Sequence, residues 1–290
     1  MADAHRPREG SIRLADGRTL AYAERGDPDG WPVLSCHGSP GSRLERHVED
    51  AGAYRRWGVR FVVPDRPGFG RSDRHPGRRV VDWPDDVRQL LDHLGIDRFA
   101  VLSLSGGAAY ALACAHALGD RVRAVGVLSG PPPPDVPWPW PGRLPERLRE
   151  AVYRPSRAAA LLQPAASPLA VRPALLPRYL QARLNAADRR VIGRPAVRSV
   201  LVENFSEGLR NGPAALAEDR ALLFRPWGFP LASVRQHVDV WHGTQDWQVP
   251  LALGQLLSAM LPDSSLHWFP GEGHFLVFDH AEEVYAALRP

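Results

Sequence analysis

Short apolar runs bounded by turn residues recur through the first 130 residues. Ser11-Ile-Arg-Leu14 and Thr19-Leu-Ala-Tyr-Ala23 flank the turn Ala15-Asp-Gly17, and Val33-Leu-Ser-Cys36 follows a second Asp/Gly/Pro turn. This reads as a hairpin feeding a buried strand. A helical stretch near 43–56, the strand Val59-Arg-Phe-Val-Val63 and a helix near 80–94 come next. Val87, Leu90, Leu91 and Leu94 share one face of that last helix, and Gly95 is placed to end it. A strand at 99–102, an alanine-rich helix over 106–118 and a strand at 122–128 repeat the alternation. Strand-helix alternation predicts an α/β fold, a mostly parallel sheet of about eight strands with helices on both faces.

The pattern breaks at Pro131-Pro-Pro-Pro134 and Val136-Pro-Trp-Pro-Trp-Pro141, where proline excludes both helix interior and central strand. Beyond it only short helical signals appear, at 143–153, 177–184 and 195–209. They predict an all-helical insertion far longer than an ordinary loop. Alternation resumes with a strand at 238–241, a helix near 251–261, a strand at 265–269 and a last helix near 278–288. The expected organisation is an α/β core of residues 1–130 and 231–290, carrying a helical cap at 131–230.

Composition narrows the class. The chain has 290 residues, of which 44% are hydrophobic and 23% charged, near globular averages, so disordered, collagen-like and coiled-coil chains are excluded. With no long apolar run and no apolar leader at the start, it reads as soluble and cytoplasmic, without a membrane partner. Cys36 and Cys114 are too few for a disulfide framework and no metal-ligand spacing occurs, so neither metal nor cofactor is expected. The formal charge of +4 comes from arginines scattered among acids, and the pairs Arg55-Arg56, Arg78-Arg79 and Arg189-Arg190 read as solvated faces. No nucleic-acid partner follows from that distribution. All 36 basic residues are Arg, which excludes Schiff-base chemistry.

Candidate chemistry gathers at strand ends. Ser103-Leu-Ser-Gly-Gly107 joins a strand to a helix, and small residues around a central serine there present its hydroxyl above the sheet, at a helix N-terminus. Ser105 is the candidate nucleophile; a plain Gly/Ser helix cap is the competing reading. Of eleven histidines, His274 in Pro270-Gly-Glu-Gly-His274 follows the last strand and is the candidate base. His93, His116 and His267 fall inside regular elements. The loop His242-Gly-Thr-Gln-Asp246 offers Asp246 as the orienting acid, with Glu272 as a rival read as solvent-facing. In His37-Gly-Ser-Pro-Gly41, Pro40 has no N–H, so the amides of Ser39 and Gly106 are the candidate oxyanion donors. His37 itself reads as a ring bonded to loop backbone.

Taken in order, His37-Gly-Ser-Pro-Gly41, Asp65-Arg-Pro-Gly-Phe-Gly-Arg-Ser72, Ser103-x-Ser105-x-Gly107, His242-Gly-x-x-Asp246 and Gly271-x-Gly-His274 resemble the α/β-hydrolase fold superfamily. The resemblance spans about residues 11–288 and is nearest its capped esterase and proline-iminopeptidase-like branch. It implies nucleophile Ser105, acid Asp246, base His274 and oxyanion donors Ser39 and Gly106, with Ser103 standing where the elbow usually has glycine. The implied function is a serine hydrolase cleaving a small-molecule ester, thioester or amide through an acyl-enzyme. A non-hydrolytic lyase, cyclase or cofactor-free oxygenase using the same base is the alternative. Serine at position 105 disfavours dehalogenase and epoxide-hydrolase chemistry, whose nucleophile is aspartate. Trp138, Trp140, Phe205, Trp227 and Phe229 in or beside the cap read as packing. Glu203, Glu207, Glu218 and Asp219 are candidates to hold a substrate amine, but read as solvent-facing.

Overall fold

The computed structural model describes residues 7–134 and 184–289. Eight strands form one sheet in the order β1-β2-β4-β3-β5-β6-β7-β8. They are β1 (Arg8–Arg13), β2 (Thr19–Gly26), β3 (Trp31–Cys36), β4 (Val59–Pro64), β5 (Phe99–Leu104), β6 (Val122–Leu128), β7 (Val238–Gly243) and β8 (Ser264–Phe269). Only β2 runs against its neighbours, β1 and β4; β3 to β8 pair in parallel. The six strands β3 to β8 therefore deliver their carboxyl ends to one edge.

Eight α-helices are described: α1 (Gly52–Arg56), α2 (Trp83–His93), α3 (Ala108–Leu118), α4 (Ala186–Gly193), α5 (Pro195–Gly208), α6 (Ala214–Leu223), α7 (Leu251–Met260) and α8 (Val277–Ala287). Successive residues of β5 alternate between two cores, as the strand period demands. Phe99 and Val101 join Val87 and Leu90 of α2, Leu112 of α3 and Leu257 of α7. Ala100, Leu102 and Leu104 join Tyr54 of α1, Val284 and Tyr285 of α8, and Val191 and Val200 of α4 and α5. The sheet is thus covered on both faces, and α4 to α6 stand between β6 and β7 in the chain.

Two local expectations are corrected, the helix over 43–56 and the solvated Arg78. The helix expected over 43–56 is present only at Gly52–Arg56. Upstream, the Arg43 N–H goes to Asp65 Oδ1, and the buried Arg25 guanidinium takes the carbonyls of Arg43, Leu44 and Glu45, so side chains satisfy the backbone that a helix would have bonded internally. The helix near 80–94 opens as a 3-10 turn at Val80–Asp82 and becomes α-helical at Trp83, with Pro84 in its first turn, where a missing N–H costs nothing. Arg78 is buried rather than solvated. The helical signals at 143–153 and most of 177–184, with Trp138 and Trp140, lie outside the described residues. Among the described residues no helix is long and apolar enough to cross a membrane.

Candidate active site

β5 is buried along its whole length and turns through one 3-10 turn, Ser105–Gly107, into α3. Ser105 has φ +54°, a left-handed conformation that costs a non-glycine residue about 1–3 kcal/mol and persists only where the surroundings over-determine it. The constraint is visible at Gly107, where a Cβ would stand 1.9 Å from the Cys36 carbonyl oxygen of β3. Ser103, at the position usually held by glycine, fits because its hydroxyl donates to the Gly126 carbonyl of β6 at 3.3 Å.

The loops after β7 and β8 are tied by backbone hydrogen bonds from Thr244 N–H to the Phe269 carbonyl and from Gln245 N–H to the Glu272 carbonyl. That clamp sets Asp246 beside His274. Asp246 Oδ1 accepts the N–H groups of Gln248 (2.9 Å) and Val249 (3.0 Å), which leaves Oδ2 for His274 Nδ1 at 2.8 Å. With Nδ1 donating, Nε2 is left as the basic nitrogen. Both side chains are buried. Burial opposes a charged imidazole, but the Asp246 charge, its hydrogen bond and the Asp188 charge outweigh it and raise His274 above the ordinary histidine range. Burial likewise opposes the Asp246 carboxylate, yet His274 and the surrounding hydrogen bonds hold its pKa below the ordinary value. Ser129 Oγ donates to the His274 carbonyl at 3.2 Å. Leu104 pairs with Leu128 across β5 and β6, so Ser105 and Ser129 are the next residues of adjacent strands, and the His274 loop rests on the elbow's immediate neighbour. Among the described residues no hydrogen bond joins the Ser105 hydroxyl to the His274 ring; such contacts commonly tighten only with substrate bound.

The loop after β3 faces the elbow from the other side. His37 Nδ1 bonds the Gly38 carbonyl and its Nε2 accepts the Arg66 N–H, so the ring is occupied by backbone as the sequence suggested. Burial and the Arg66 charge push its pKa down to about 3 and keep it neutral. The Gly38 N–H is taken by Glu45 Oε2 at 2.8 Å. In contrast, a Cβ built on Gly106 would stand 3.8 Å from the Ser39 nitrogen, so the two candidate oxyanion amides belong to touching segments.

Asp219 corrects the expectation of a solvent-facing acid. It is fully buried on α6, accepting from Ser39 Oγ (2.7 Å), Tyr110 Oη (2.6 Å), Arg66 and Arg78. Burial opposes its charge, but the two guanidinium groups overcome that penalty and hold its carboxyl far below the usual range. Arg66 also donates to the carbonyls of His37 and Gly38 and lies over the Tyr110 ring, 4.5 Å from its centroid. Glu272, the rival acid, is bound by Arg190 at 3.0 Å instead of His274. Trp227 is buried, Phe229 stacks on His116 and Phe205 packs on the second core, so these aromatics are packing residues. Asp188 of α4 escaped sequence reasoning: it is buried against the His274 loop, and no spacing in the sequence marks it. Among the described residues no cluster of His, Cys, Asp and Glu could hold a metal ion.

The chain is similar to known proteins along most of its length. The chain is 28% identical to haloalkane dehalogenase 2 of Mycobacterium bovis, over 93% of this chain and 90% of that protein. It is 30% identical to 2-hydroxy-6-oxononadienedioate/2-hydroxy-6-oxononatrienedioate hydrolase 2 of Pseudomonas putida, over 96% and 91%. A proline iminopeptidase of Xanthomonas citri matches at 35% over 37% of this chain and 34% of its own. Among solved structures, a thermophilic esterase from Thermogutta terrifontis superposes with a TM-score of 0.70 at 22% identity, covering 97% of each chain, which speaks for the fold. The family model for the alpha/beta hydrolase fold matches residues 32–281, a span holding the strained serine, the His274–Asp246 pair and the loop after β3, and the chain belongs to that family.

Proposed function

We propose that the protein is a serine hydrolase that cleaves a small-molecule ester, thioester or amide through an acyl-enzyme. The observation that carries this reading is the left-handed Ser105 at the β5–α3 elbow, with the His274–Asp246 pair held over the neighbouring strand end. Ser105 Oγ attacks the substrate carbonyl carbon while His274 Nε2 takes the hydroxyl proton, and the tetrahedral oxyanion is received by the amides of Ser39 and Gly106. The proton passes from His274 to the leaving oxygen, sulfur or nitrogen as the scissile bond breaks. Water, activated by the same base, then releases the acid and restores Ser105. The helices between β6 and β7 act in this reading as a cap over the site.

Asp219 is neutralised by two arginines, Glu207 is bonded by Arg43 and Arg210, and Glu218 pairs with Arg74, while Glu203 is exposed. Asp219, Glu207 and Glu218 are thus already paired, which speaks against these three as holders of a substrate amine and leaves Glu203 of the four. Serine at 105 likewise speaks against halide displacement through an aspartyl ester, whatever the similarity to a protein named a dehalogenase.

The test is labelling with a fluorophosphonate probe followed by peptide mapping. A single adduct on Ser105, lost in Ser105→Ala and accompanied by a p-nitrophenol burst from a small p-nitrophenyl ester, is the expected result. Labelling at Ser103, or undiminished labelling of Ser105→Ala, refutes the assignment. Retained turnover in Ser105→Ala together with loss in His274→Ala would favour base catalysis without a covalent intermediate.

A further inference from the structure

We infer that Asp188, on the helix α4 inserted between β6 and β7, is a second positioning carboxylate for His274, holding the base's loop by the Phe275 amide and the protonated ring by its charge. This rests on the reading of His274 as the base that serves Ser105.

The geometry is that of a loop packed against a carboxylate. Phe275 N–H donates to Asp188 Oδ1 at 3.1 Å. A Cβ on Gly273 would lie 2.3 Å from Oδ1 and 2.9 Å from Oδ2, so the Gly273 backbone is pressed against the carboxylate. Asp188 is held in turn. Its own N–H donates to Asn185 Oδ1 at 2.7 Å, capping α4, and Asn185 Nδ2 donates to the Gln245 carbonyl on the loop that carries Asp246. One inserted helix end is therefore bonded to both catalytic loops.

The amide bond alone does not account for the choice of an acid. Asparagine would accept the Phe275 N–H without the cost of burying a charge, and among the described residues Asp188 has no arginine partner and its buried Oδ2 no hydrogen-bond partner. What the acid adds is a negative charge beside an imidazole that becomes positive each time it takes the Ser105 proton. The titratable groups around that ring are Asp246 and His242 from β7 and its loop, and Asp188 from α4, while Glu272 on the ring's own loop is turned to Arg190. Burial raises Asp188 above the usual carboxylate range and the Asp246 charge adds to the rise, while the His274 charge and the Phe275 amide work against it. The same charge contributes to the raised pKa of His274.

The measurement is fluorophosphonate inactivation as a function of pH in the full chain, giving a maximal rate and an apparent binding constant for Asp188→Asn, Asp188→Ser and Glu272→Gln. Both Asp188 variants should move the histidine-dependent rising limb to lower pH, because an anion that favours the imidazolium is gone. Their maximal rate should fall about tenfold with the binding constant unchanged, the pattern of a group that acts on the base and not on the ligand. Glu272→Gln, which removes a charge from the same loop, should leave limb and rate in place. Folded Asp188 variants with the unsubstituted limb and rate overturn the inference, and so does an equal displacement in Glu272→Gln. Loss of folding in the isosteric Asp188→Asn overturns it as well, because the carboxylate then serves the fold. If the unsubstituted protein is not labelled at Ser105, the parent reading fails and takes this inference with it; if it is labelled and only the Asp188 effects are missing, this inference alone fails.

Discussion

Ser105 is held at φ +54° with a side chain that disfavours it, while the next tight position, Gly107, has no side chain because the Cys36 carbonyl occupies that place. Replacing Ser105 by alanine keeps the strain and removes the hydroxyl; replacing it by glycine removes both. Ser105→Gly should therefore be more stable than Ser105→Ala by about 1 kcal/mol in urea unfolding, reduced somewhat by the greater freedom of glycine in the unfolded chain, and both should be inert to the probe. Equal stabilities would show that the turn relaxes when the hydroxyl is lost. The serine and its small neighbours were legible in the sequence because an elbow needs those residue types, whatever surrounds it. The departure at Ser103 was legible only as an oddity, since the acceptor that accommodates it, the Gly126 carbonyl, comes from the adjacent strand. Asp188 was invisible for a related reason: an acid on a short helix looks solvated until the loop that wraps it, 87 residues further on, is in place.

The His274–Asp246 pair is a product of two elements, the ends of β7 and β8. Their positions followed from strand alternation and from the carboxyl-end rule for parallel sheets. The turn that aims Asp246 also lay in the sequence, since an Asp two and three residues ahead of the amides it accepts is a local motif. The direction of the His274 shift did not, because it is a contest between burial and two carboxylates from different elements. In the proposed mechanism the raised pKa means that the neutral base needed for attack on substrate is lost as pH falls through a value above the ordinary 6.5 of histidine. Inactivation by the probe should accordingly rise with pH through a limb displaced upward from that value. Asp246→Asn removes the larger of the two favourable charges and holds the wrong tautomer. Its limb should move to lower pH, and its rate should drop by about 10⁴ with the fold intact. A flat profile between pH 5 and 8, or near-full activity in Asp246→Asn, would remove this pair from the mechanism.

At the scale of the whole molecule, the mostly parallel sheet and the break at the prolines could be read from the pattern of apolar runs, because a sheet buried on both faces reads as short apolar strands alternating with helices; the spatial order of the strands could not. Nor could the way the inserted helices meet the core. Asp219 and Arg78 were both read as solvated, and each is buried by the other, 141 residues apart, together with Arg66 at a separation of 153. Four core segments converge on this one carboxylate: Ser39 after β3, Arg66 after β4, Arg78 before α2 and Tyr110 in α3. Such a cluster contributes little compared with well-packed apolar residues, but removing one member leaves its partners charged and buried. Asp219→Asn keeps the shape and strands two guanidinium groups, so it should lower the free energy of unfolding by about 3–5 kcal/mol. Glu218 lies on the same helix as Asp219, and its half-exposed pair with Arg74 provides the comparison: Glu218→Gln should cost no more than about 1 kcal/mol. Because Ser39 Oγ is bonded to Asp219 and the Ser39 amide is assigned to the oxyanion, the folded fraction of Asp219→Asn should also be inactivated more slowly by the probe, while Glu218→Gln reacts at the unsubstituted rate. Equal, small costs for the two substitutions would mean that the insertion and the core are not joined through this charge.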